Sequence, residues 1–156
     1  MAYKDSLTGL ANRRKCEEVM DEMDREHRPV VVINFDLNHL KDVNDSLGHQ
    51  EGDLFIKTFG LILEEVFQKV GTAFRTGGDE FVVISTETSQ TMIDQLIQEL
   101  RARMREENEK RKQWNLSTAY GVAYRTEAEQ LSVRQAMKIA DERMYENKRE
   151  MKEGRC

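Results

Sequence analysis

Cysteine and proline are scarce in this sequence. Its 156 residues include two cysteines, Cys16 and Cys156, and one proline, Pro29. The two cysteines are far apart and have no metal-ligand spacing, and such sparse cysteine usage is typical of a reducing compartment. We therefore expect a cytoplasmic location. Whether the full-length protein is tethered to a membrane sensor stays open.

Long apolar runs and an excess of positive charge are also absent. No stretch approaches the length of a membrane span, and the N-terminus lacks the apolar core of a signal peptide. Lys and Arg total 24 against 29 Asp and Glu, a net charge of −5, whereas nucleic-acid binders usually present a basic face. We expect no membrane span in this segment, no nucleic-acid partner, and one domain over residues 1–156.

One apolar run ends in an acid. The stretch from Val30 to Phe35 is mostly β-branched, which is typical of a strand buried on both faces, and Asp36 follows it. A carboxylate at the end of a buried strand is costly unless a cation or polar group meets it. Asp36 is therefore a candidate ligand.

The pentapeptide Gly77–Phe81, Gly-Gly-Asp-Glu-Phe, is the most informative motif. A Gly-Gly pair between apolar alternations predicts a hairpin whose turn residues take positive φ. Asp79 and Glu80 stand where the second strand begins, so we expect their side chains on opposite faces of the sheet. Acids at this turn and at Asp36 predict a two-carboxylate site for Mg²⁺ or Mn²⁺, which points to nucleotide chemistry.

The spacing of apolar residues predicts the remaining elements. Helices are expected over residues 12–26, 39–47, 53–70, 88–112 and 133–151, and strands over 30–36, 116–124 and the two arms of a hairpin at 72–85. Asp53 is the expected N-cap of its helix, and Gly121 a weak point in the last strand. The order predicts an α+β fold, an α/β sandwich. Its mixed, mostly antiparallel sheet would contain the βαββαβ core of ferredoxin-like and polymerase-palm folds.

Several motifs, in order over nearly the whole chain, closely resemble the GGDEF domain, the catalytic domain of diguanylate cyclases. Because several independent motifs agree, the resemblance is more specific than the pentapeptide alone. They are Asp5-Ser6-Leu7-Thr8-Gly9-Leu10-Ala11-Asn12-Arg13-Arg14, Asp36-Leu37-Asn38-His39-Leu40-Lys41-Asp42-Val43-Asn44-Asp45, Gly48-His49-Gln50-Glu51-Gly52-Asp53, Gly77–Phe81, Tyr120-Gly121-Val122-Ala123 and Ala140-Asp141-Glu142-Arg143-Met144-Tyr145-Glu146-Asn147-Lys148.

The resemblance implies an enzyme that makes cyclic di-GMP from two GTP molecules at the interface of a homodimer. In that family the 3′-hydroxyl of one GTP attacks the α-phosphate of the other, and pyrophosphate leaves. We interpret the chain as a catalytic fragment of a larger bacterial signalling protein whose upstream sensor or dimerisation module is absent. A non-catalytic GTP-binding module remains the alternative, and a cyclase with relaxed base choice is a third hypothesis.

The resemblance also implies residue roles. Asp36, the backbone carbonyl of Leu37 and Asp79 would hold the metal, and Asp79 is also a candidate base for the hydroxyl proton. Glu80 would contact a second metal or act as base, and Lys41 would stabilise the transition state.

Substrate contacts follow from the same comparison. Asn44 and Asp53 match the guanine readers, and an aspartate can accept from both N1–H and the exocyclic amine of guanine, which favours GTP over ATP. The backbone N–H groups near His39 and Leu40, at the start of the helix predicted over residues 39–47, form a natural binding position for phosphate. The phosphate-side residues are His39, Leu40, Lys148 and Lys152.

The sequence departs from the family pattern at several positions. The R-x-x-D of the product-inhibition site is replaced by Gln68 to Gly71, so we expect no feedback through it. Lys152 stands where an Arg of a Gly-Arg pair is usual, and Gly154-Arg155 follows late, which predicts a weaker phosphate grip. Asn38 replaces a second Asp, with little expected loss, and nothing in the sequence explains the effect of Ala119-Tyr120.

Overall fold

The computed structural model describes residues 2–126 and 131–154. Helices cover both faces of a five-stranded sheet. The strands are β1 Ala11–Asn12, β2 Val30–Leu37, β3 Gly71–Arg75, β4 Glu80–Ser85 and β5 Thr118–Arg125; the helices are α1 Arg13–Glu26, α2 Leu40–Leu47, α3 His49–Phe67, α4 Gln90–Arg111 and α5 Val133–Lys152. The predicted α+β fold is confirmed, and β1 is the one described element that the sequence pattern did not predict.

The sheet order is β1-β3-β4-β2-β5, with β1 parallel to β3 and the other neighbours antiparallel. β2 lies between β4 and β5, and all of its residues are buried. That central place explains its unbroken apolar sequence, because both faces and both edges of the strand are covered. The register sets Asp36 opposite Glu80 on one side and Ala119 on the other.

Two cores lie on opposite faces of the sheet. Alternate β2 residues, such as Ile33 and Phe35, pack with α3 and α4, whereas Val32 packs with α1 and α5. Since side chains alternate along a strand, Asn34 and Asp36 share the face of Val32. The Asn34 side chain accordingly donates to the Met137 carbonyl of α5 at 3.3 Å. This alternation directs Asp36 toward α5.

Gly121 allows α5 to lie directly on β5. A Cβ at this position would lie 2.1 Å from the Ala140 carbonyl oxygen and 2.4 Å from the Met144 nitrogen. The Asn147 side chain accepts from the Tyr120 N–H at 3.0 Å and extends the same contact. The interpretation of Gly121 as a weak point is therefore wrong, since the missing side chain permits the close packing that positions α5.

Two predicted helix boundaries are also wrong. α3 begins at His49, with Gly48 at φ +90° as its N-cap, so Asp53 lies inside the helix and does not cap it. The helix ends at Phe67, and Gly71 opens β3 instead of ending the helix. Because α3 begins before Asp53, the exposed Asp53 carboxylate has no capping role.

Within the described ranges, none of the helices combines the length and the apolar character needed to cross a membrane.

Candidate functional site

Acidic and basic side chains meet where β2 ends beside the hairpin. Asp36, 7% exposed, accepts a hydrogen bond at Oδ2 from the Lys148 ammonium of α5 at 2.6 Å. Asp79 directly precedes β4, and its backbone carbonyl accepts from the Leu37 N–H at 2.8 Å. Its carboxyl group is near enough to that of Asp36 for the two negative charges to repel each other. Three predicted metal-site residues and the predicted phosphate-side Lys148 are thus brought together, with Glu80 alongside.

Partial burial and like charge raise the pKa of both hairpin carboxyls. For Asp79, burial is the larger cause of the raised pKa, and the Asp36 carboxylate adds to it. For Glu80, burial again comes first, followed by repulsion from Asp79 and Asp36. The expected separation of Asp79 and Glu80 onto opposite faces stays a prediction, since a charge interaction with Asp36 does not fix the face on which a side chain lies. Asp79 precedes the strand and is not held to strand alternation.

The residues at this cluster fit a divalent cation. Among the residues that the structure describes, Asp36 Oδ1 is buried and finds no hydrogen-bond partner, although buried polar atoms are normally paired. Carboxylate and carbonyl oxygens are the ligands that Mg²⁺ and Mn²⁺ prefer, with waters and phosphates completing the shell. In residues 2–126 and 131–154, no group of three or more His, Cys, Asp or Glu side chains could hold a metal. The arrangement suits a cation that arrives with phosphate ligands of its own.

The turn that carries Asp79 is held by Arg75 and by backbone hydrogen bonds. Arg75 donates from Nη2 to the Gly78 carbonyl at 2.9 Å and from Nη1 to Asp5 at 3.1 Å. The Thr76 N–H also donates to the Glu80 carbonyl at 2.9 Å. Neither Gly77 nor Gly78 takes positive φ, so that part of the hairpin prediction is wrong. Glycine at 77 instead leaves room for Glu80, whose carboxylate would lie 2.9 Å from a Cβ there.

Replacing Arg75 with alanine should lower the free energy of unfolding by about 2 kcal/mol. The Arg75 and Asp5 side chains are only 15% and 19% exposed, so the change leaves a largely buried carboxylate without its charged partner. Burial acts to raise the pKa of Asp5, but hydrogen bonds from Thr8 and Arg75 bring that pKa below its usual value. The measurement is urea unfolding near neutral pH.

The matched control is Arg103→Ala, which removes the more exposed pair with Glu65 and should cost less than about 1 kcal/mol. Equal unfolding midpoints for the two variants would contradict the assigned importance of Arg75. A depressed pKa stabilises the fold above the usual aspartate pKa. The contribution of Asp5 should therefore fade as pH falls through its lowered pKa.

The predicted phosphate-binding position lies at the start of α2. His39 lies at φ +69°, and no side chain in the described part of the chain caps the helix that begins at Leu40. The first N–H groups of a helix lack partners inside the helix, so they can receive an anion. Lys41 is exposed one residue further on, and Lys152 is exposed at the end of α5, one turn beyond Lys148. Arg155, the displaced arginine, lies outside the described residues.

The predicted guanine readers lie on two packed helices. Asn44 is on α2, half-buried, with its side chain against Gly52 of α3. Asp53 follows Gly52 and is exposed. The structure therefore places Asn44 against Gly52, the residue that directly precedes Asp53.

The position that replaces the aspartate of the R-x-x-D pattern has no space for a side chain. A Cβ at Gly71 would lie 2.1 Å from the Ile84 carbonyl oxygen and 2.8 Å from the Ser85 Cα. Both are backbone atoms of the paired strand β4, which cannot rotate away. Gln68, at the other end of the pattern, is the C-cap of α3. The hairpin packing itself thus disfavours restoring the missing acid.

A cavity of about 430 Å³ lies between α1 and α5. It reaches the hairpin at Thr76 and Glu80, but neither Asp36 nor Asp79 lines it. Its charged lining consists of three basic and three acidic side chains: Arg13, Arg134, Lys138, Glu17, Glu80 and Asp141. The cavity therefore touches the hairpin at Glu80 without including Asp36 or Asp79, and its charged lining residues balance.

Two contacts at the site were missed by sequence reasoning. Arg75 reads as part of an apolar strand, yet it joins Asp5 to the signature turn. Gly52 reads only as a motif residue, yet it is where Asn44 packs. A charged residue inside an apolar strand was the available signal for Arg75, since it is unfavourable without a specific partner. Gly52 lay just before the predicted helix, so the sequence offered no such signal for it.

The comparisons with known proteins agree on one family. The family model described as diguanylate cyclase, GGDEF domain, matches residues 2–154. The chain is 31% identical over 148 residues to the probable diguanylate cyclase DgcJ of Escherichia coli (strain K12), covering 92% of this chain and 29% of that protein. It is 32% identical over 107 residues to the cyclic di-GMP phosphodiesterase PdeR of the same strain, covering 67% of this chain and 16% of the relative.

A solved structure agrees as well. The GGDEF domain of DgcB from Caulobacter crescentus, in complex with c-di-GMP, is 27% identical and has a TM-score of 0.81, covering 96% of this chain and 91% of that chain. The present chain spans less than a third of the length of the two curated relatives above. From its fold, its ordered motifs and the match over residues 2–154, this chain belongs to the GGDEF domain family of diguanylate cyclases.

Proposed function

We propose that this chain is an active diguanylate cyclase domain that condenses two GTP molecules into cyclic di-GMP and two pyrophosphates. The observation that carries the proposal is the cluster of Asp36, Asp79 and Lys148, with one buried Asp36 oxygen unpaired. In each of two steps, a 3′-hydroxyl oxygen bonds to the α-phosphorus of the other nucleotide as the bond to pyrophosphate breaks. Such a transfer requires phosphates held close to a positioned nucleophile.

The acidic residues have two proposed roles. Asp36, Asp79 and the Leu37 carbonyl would hold a divalent cation, Mg²⁺ or Mn²⁺, which when bound would neutralise phosphate charge. Asp79 or Glu80 would accept the proton of the 3′-hydroxyl. The raised pKa of both carboxyls brings them closer to the pH at which a general base is effective.

The remaining predicted residues would bind the nucleotide. Asn44 and the exposed Asp53 would read guanine, because adenine cannot offer an aspartate an N1–H and an adjacent exocyclic amine together. The amide-bearing start of α2 and the nearby lysines would hold the phosphates. These phosphate-side residues are His39, Leu40, Lys41, Lys148 and Lys152.

The proposed reaction needs two copies of the chain. Each copy offers one set of guanine readers and one acidic cluster, so two nucleotides can react only when two sites face each other. We therefore propose a homodimer as the active form. We also propose that residues 1–156 form one catalytic domain of a larger signalling protein, whose other parts control the pairing.

The direct test is turnover of GTP with Mg²⁺ at high protein concentration, with products identified by mass. Cyclic di-GMP that rises more steeply than linearly with protein would support a cyclase that works as a dimer. ATP in place of GTP is the control and should yield no cyclic dinucleotide. A cyclic product containing AMP would instead support relaxed base choice.

A non-catalytic GTP-binding module is the second candidate. The observation that favours it is the 32% identity to PdeR, a relative named for phosphodiesterase activity. GTP binding without product, in a protein forced to dimerise by an N-terminal coiled coil, would establish this alternative and refute the cyclase.

A further inference from the structure

Gly52 lies inside α3 without a conformational reason to be glycine. It is the fourth residue of a regular helix, it is buried, and its N–H donates to the Gly48 carbonyl at 3.1 Å. Its φ is not positive, so any L-residue could adopt this backbone. Alanine is a better helix former than glycine. The glycine therefore calls for another explanation, which lies in its surroundings.

The space that a side chain at 52 would fill is taken by Asn44. An ideal Cβ on Gly52 would lie 1.7 Å from Asn44 Oδ1, 2.8 Å from its Cγ and 3.5 Å from its Nδ2. A real Cβ essentially never lies within 3.0 Å of another non-bonded heavy atom, so a side chain at 52 and the Asn44 carboxamide in this position exclude each other. Because the carboxamide is the far end of a rotatable side chain, it would swing away while the helix stayed intact.

We propose that Gly52 is a positioning residue that selects the guanine-reading orientation of Asn44. Its bare backbone is the surface on which the Asn44 carboxamide rests, one residue from the Asp53 carboxylate. A methyl group at 52 would turn the carboxamide out of line while leaving Asp53 in place. This inference rests on the proposed use of Asn44 in base recognition.

The same helix supplies a matched control. Gly60 is also a buried glycine inside α3, and a Cβ there would meet Thr8 Cγ2 at 3.2 Å. That contact is tight, but none of the proposed nucleotide-binding residues takes part in it. Gly60→Ala therefore makes the same chemical change in the same helix away from Asn44.

The experiment measures binding of non-hydrolysable GTP and ATP analogues to the wild type, G52A, N44A, the G52A/N44A double variant and G60A. We expect G52A and N44A each to weaken binding of the GTP analogue by about tenfold, with little change for the ATP analogue. The double variant should bind no more weakly than N44A, because residues that act through one contact are not additive. G60A should bind as the wild type does.

Structure is followed separately by NMR of the nucleotide-free protein. The side-chain amide signals of Asn44, identified by their loss in N44A, should move in G52A and stay in place in G60A. Circular dichroism should show unchanged helix content.

Two outcomes would overturn the inference in different ways. A wild type that binds both analogues equally would remove the proposed guanine reading and this inference with it. A wild type that prefers GTP, combined with a G52A variant that keeps the preference or a double variant whose losses multiply, would overturn the role of Gly52 alone.

Discussion

Replacing Asp79 with asparagine should abolish formation of cyclic di-GMP and, in the same protein, raise its thermal stability without metal. Asparagine keeps the size of the side chain but removes the charge that a cation needs. Mutation of groups that only orient a metal ligand already lowers metal affinity or activity by about 10- to 100-fold. The loss of a proposed ligand should exceed about 100-fold by that standard.

The gain in stability follows from the pKa of Asp79. Burial and the Asp36 carboxylate raise that pKa in the folded state, so ionisation of Asp79 disfavours the fold. A group of this kind contributes stability below its ordinary pKa, and the contribution is lost as pH rises through the raised value. At neutral pH the wild type therefore carries a repulsion that asparagine removes, and the gain should vanish in acid.

The measurements are product formation by mass, Mn²⁺ binding by electron paramagnetic resonance, and melting temperature against pH. Asp94→Asn, an exposed acid on α4, is the control and should change none of the three. Normal turnover by the Asp79 variant would remove Asp79 from the mechanism. A lower melting temperature at neutral pH would show that its charge is already balanced in the empty protein.

Replacing Lys148 with methionine should affect metal and nucleotide in opposite directions. Without nucleotide, Mn²⁺ should bind at least about tenfold more tightly, because the ammonium is a positive charge at 2.6 Å from the oxygen Asp36 Oδ2. The GTP analogue should bind about tenfold more weakly, since the proposed charged hydrogen bond from Lys148 to phosphate is lost. Lys148 would thus pair with Asp36 in the nucleotide-free protein and would contact the phosphates once a nucleotide binds.

The same variant should be less stable when empty. The Lys148 and Asp36 side chains are 28% and 9% exposed, and breaking such a pair leaves the buried Asp36 carboxylate without its ion-pair partner, at a cost of about 3 kcal/mol. The hydrogen bond to Asp36 raises the pKa of Lys148. The stabilisation is therefore complete below the ordinary lysine pKa and is lost as pH rises through the raised value.

Lys152→Met is the matched control, since this exposed lysine lies one turn further along the same helix. It should weaken nucleotide binding modestly and leave Mn²⁺ binding unchanged. Calorimetric titration of Mn²⁺ into nucleotide-free protein decides the matter. Weaker or unchanged Mn²⁺ binding by the Lys148 variant would show that the lysine does not compete for Asp36.

Sequence patterns predicted the long helices and strands, but they failed at the short strand β1 and at closely packed glycines. The β-branched run of β2 and the apolar spacing of α5 identify those elements because burial selects such residues along their length. β1 has two residues, Ala11 and Asn12, and is a strand only through its pairing with β3. No periodicity can appear in so short a segment.

Glycines were where sequence reasoning failed most often. Gly77 and Gly78 suggested positive φ, but Gly77 leaves room for the Glu80 carboxylate. Gly121 suggested a weak strand, but it admits the backbone of α5. A glycine in a sequence shows that a side chain is absent, and only the neighbours in space show what takes its place.

The sequence by itself determined the family, the fold class and the set of acids, because ordered motifs and apolar periodicity can be recognised from the order of residues along the chain. Tertiary structure alone decided which side chains meet. Lys148 reaches Asp36 across 112 positions and Arg75 reaches Asp5 across 70. Both contacts depend on the order of the strands and the face that each helix covers. Those features are set by packing of the whole chain, and no local pattern encodes them.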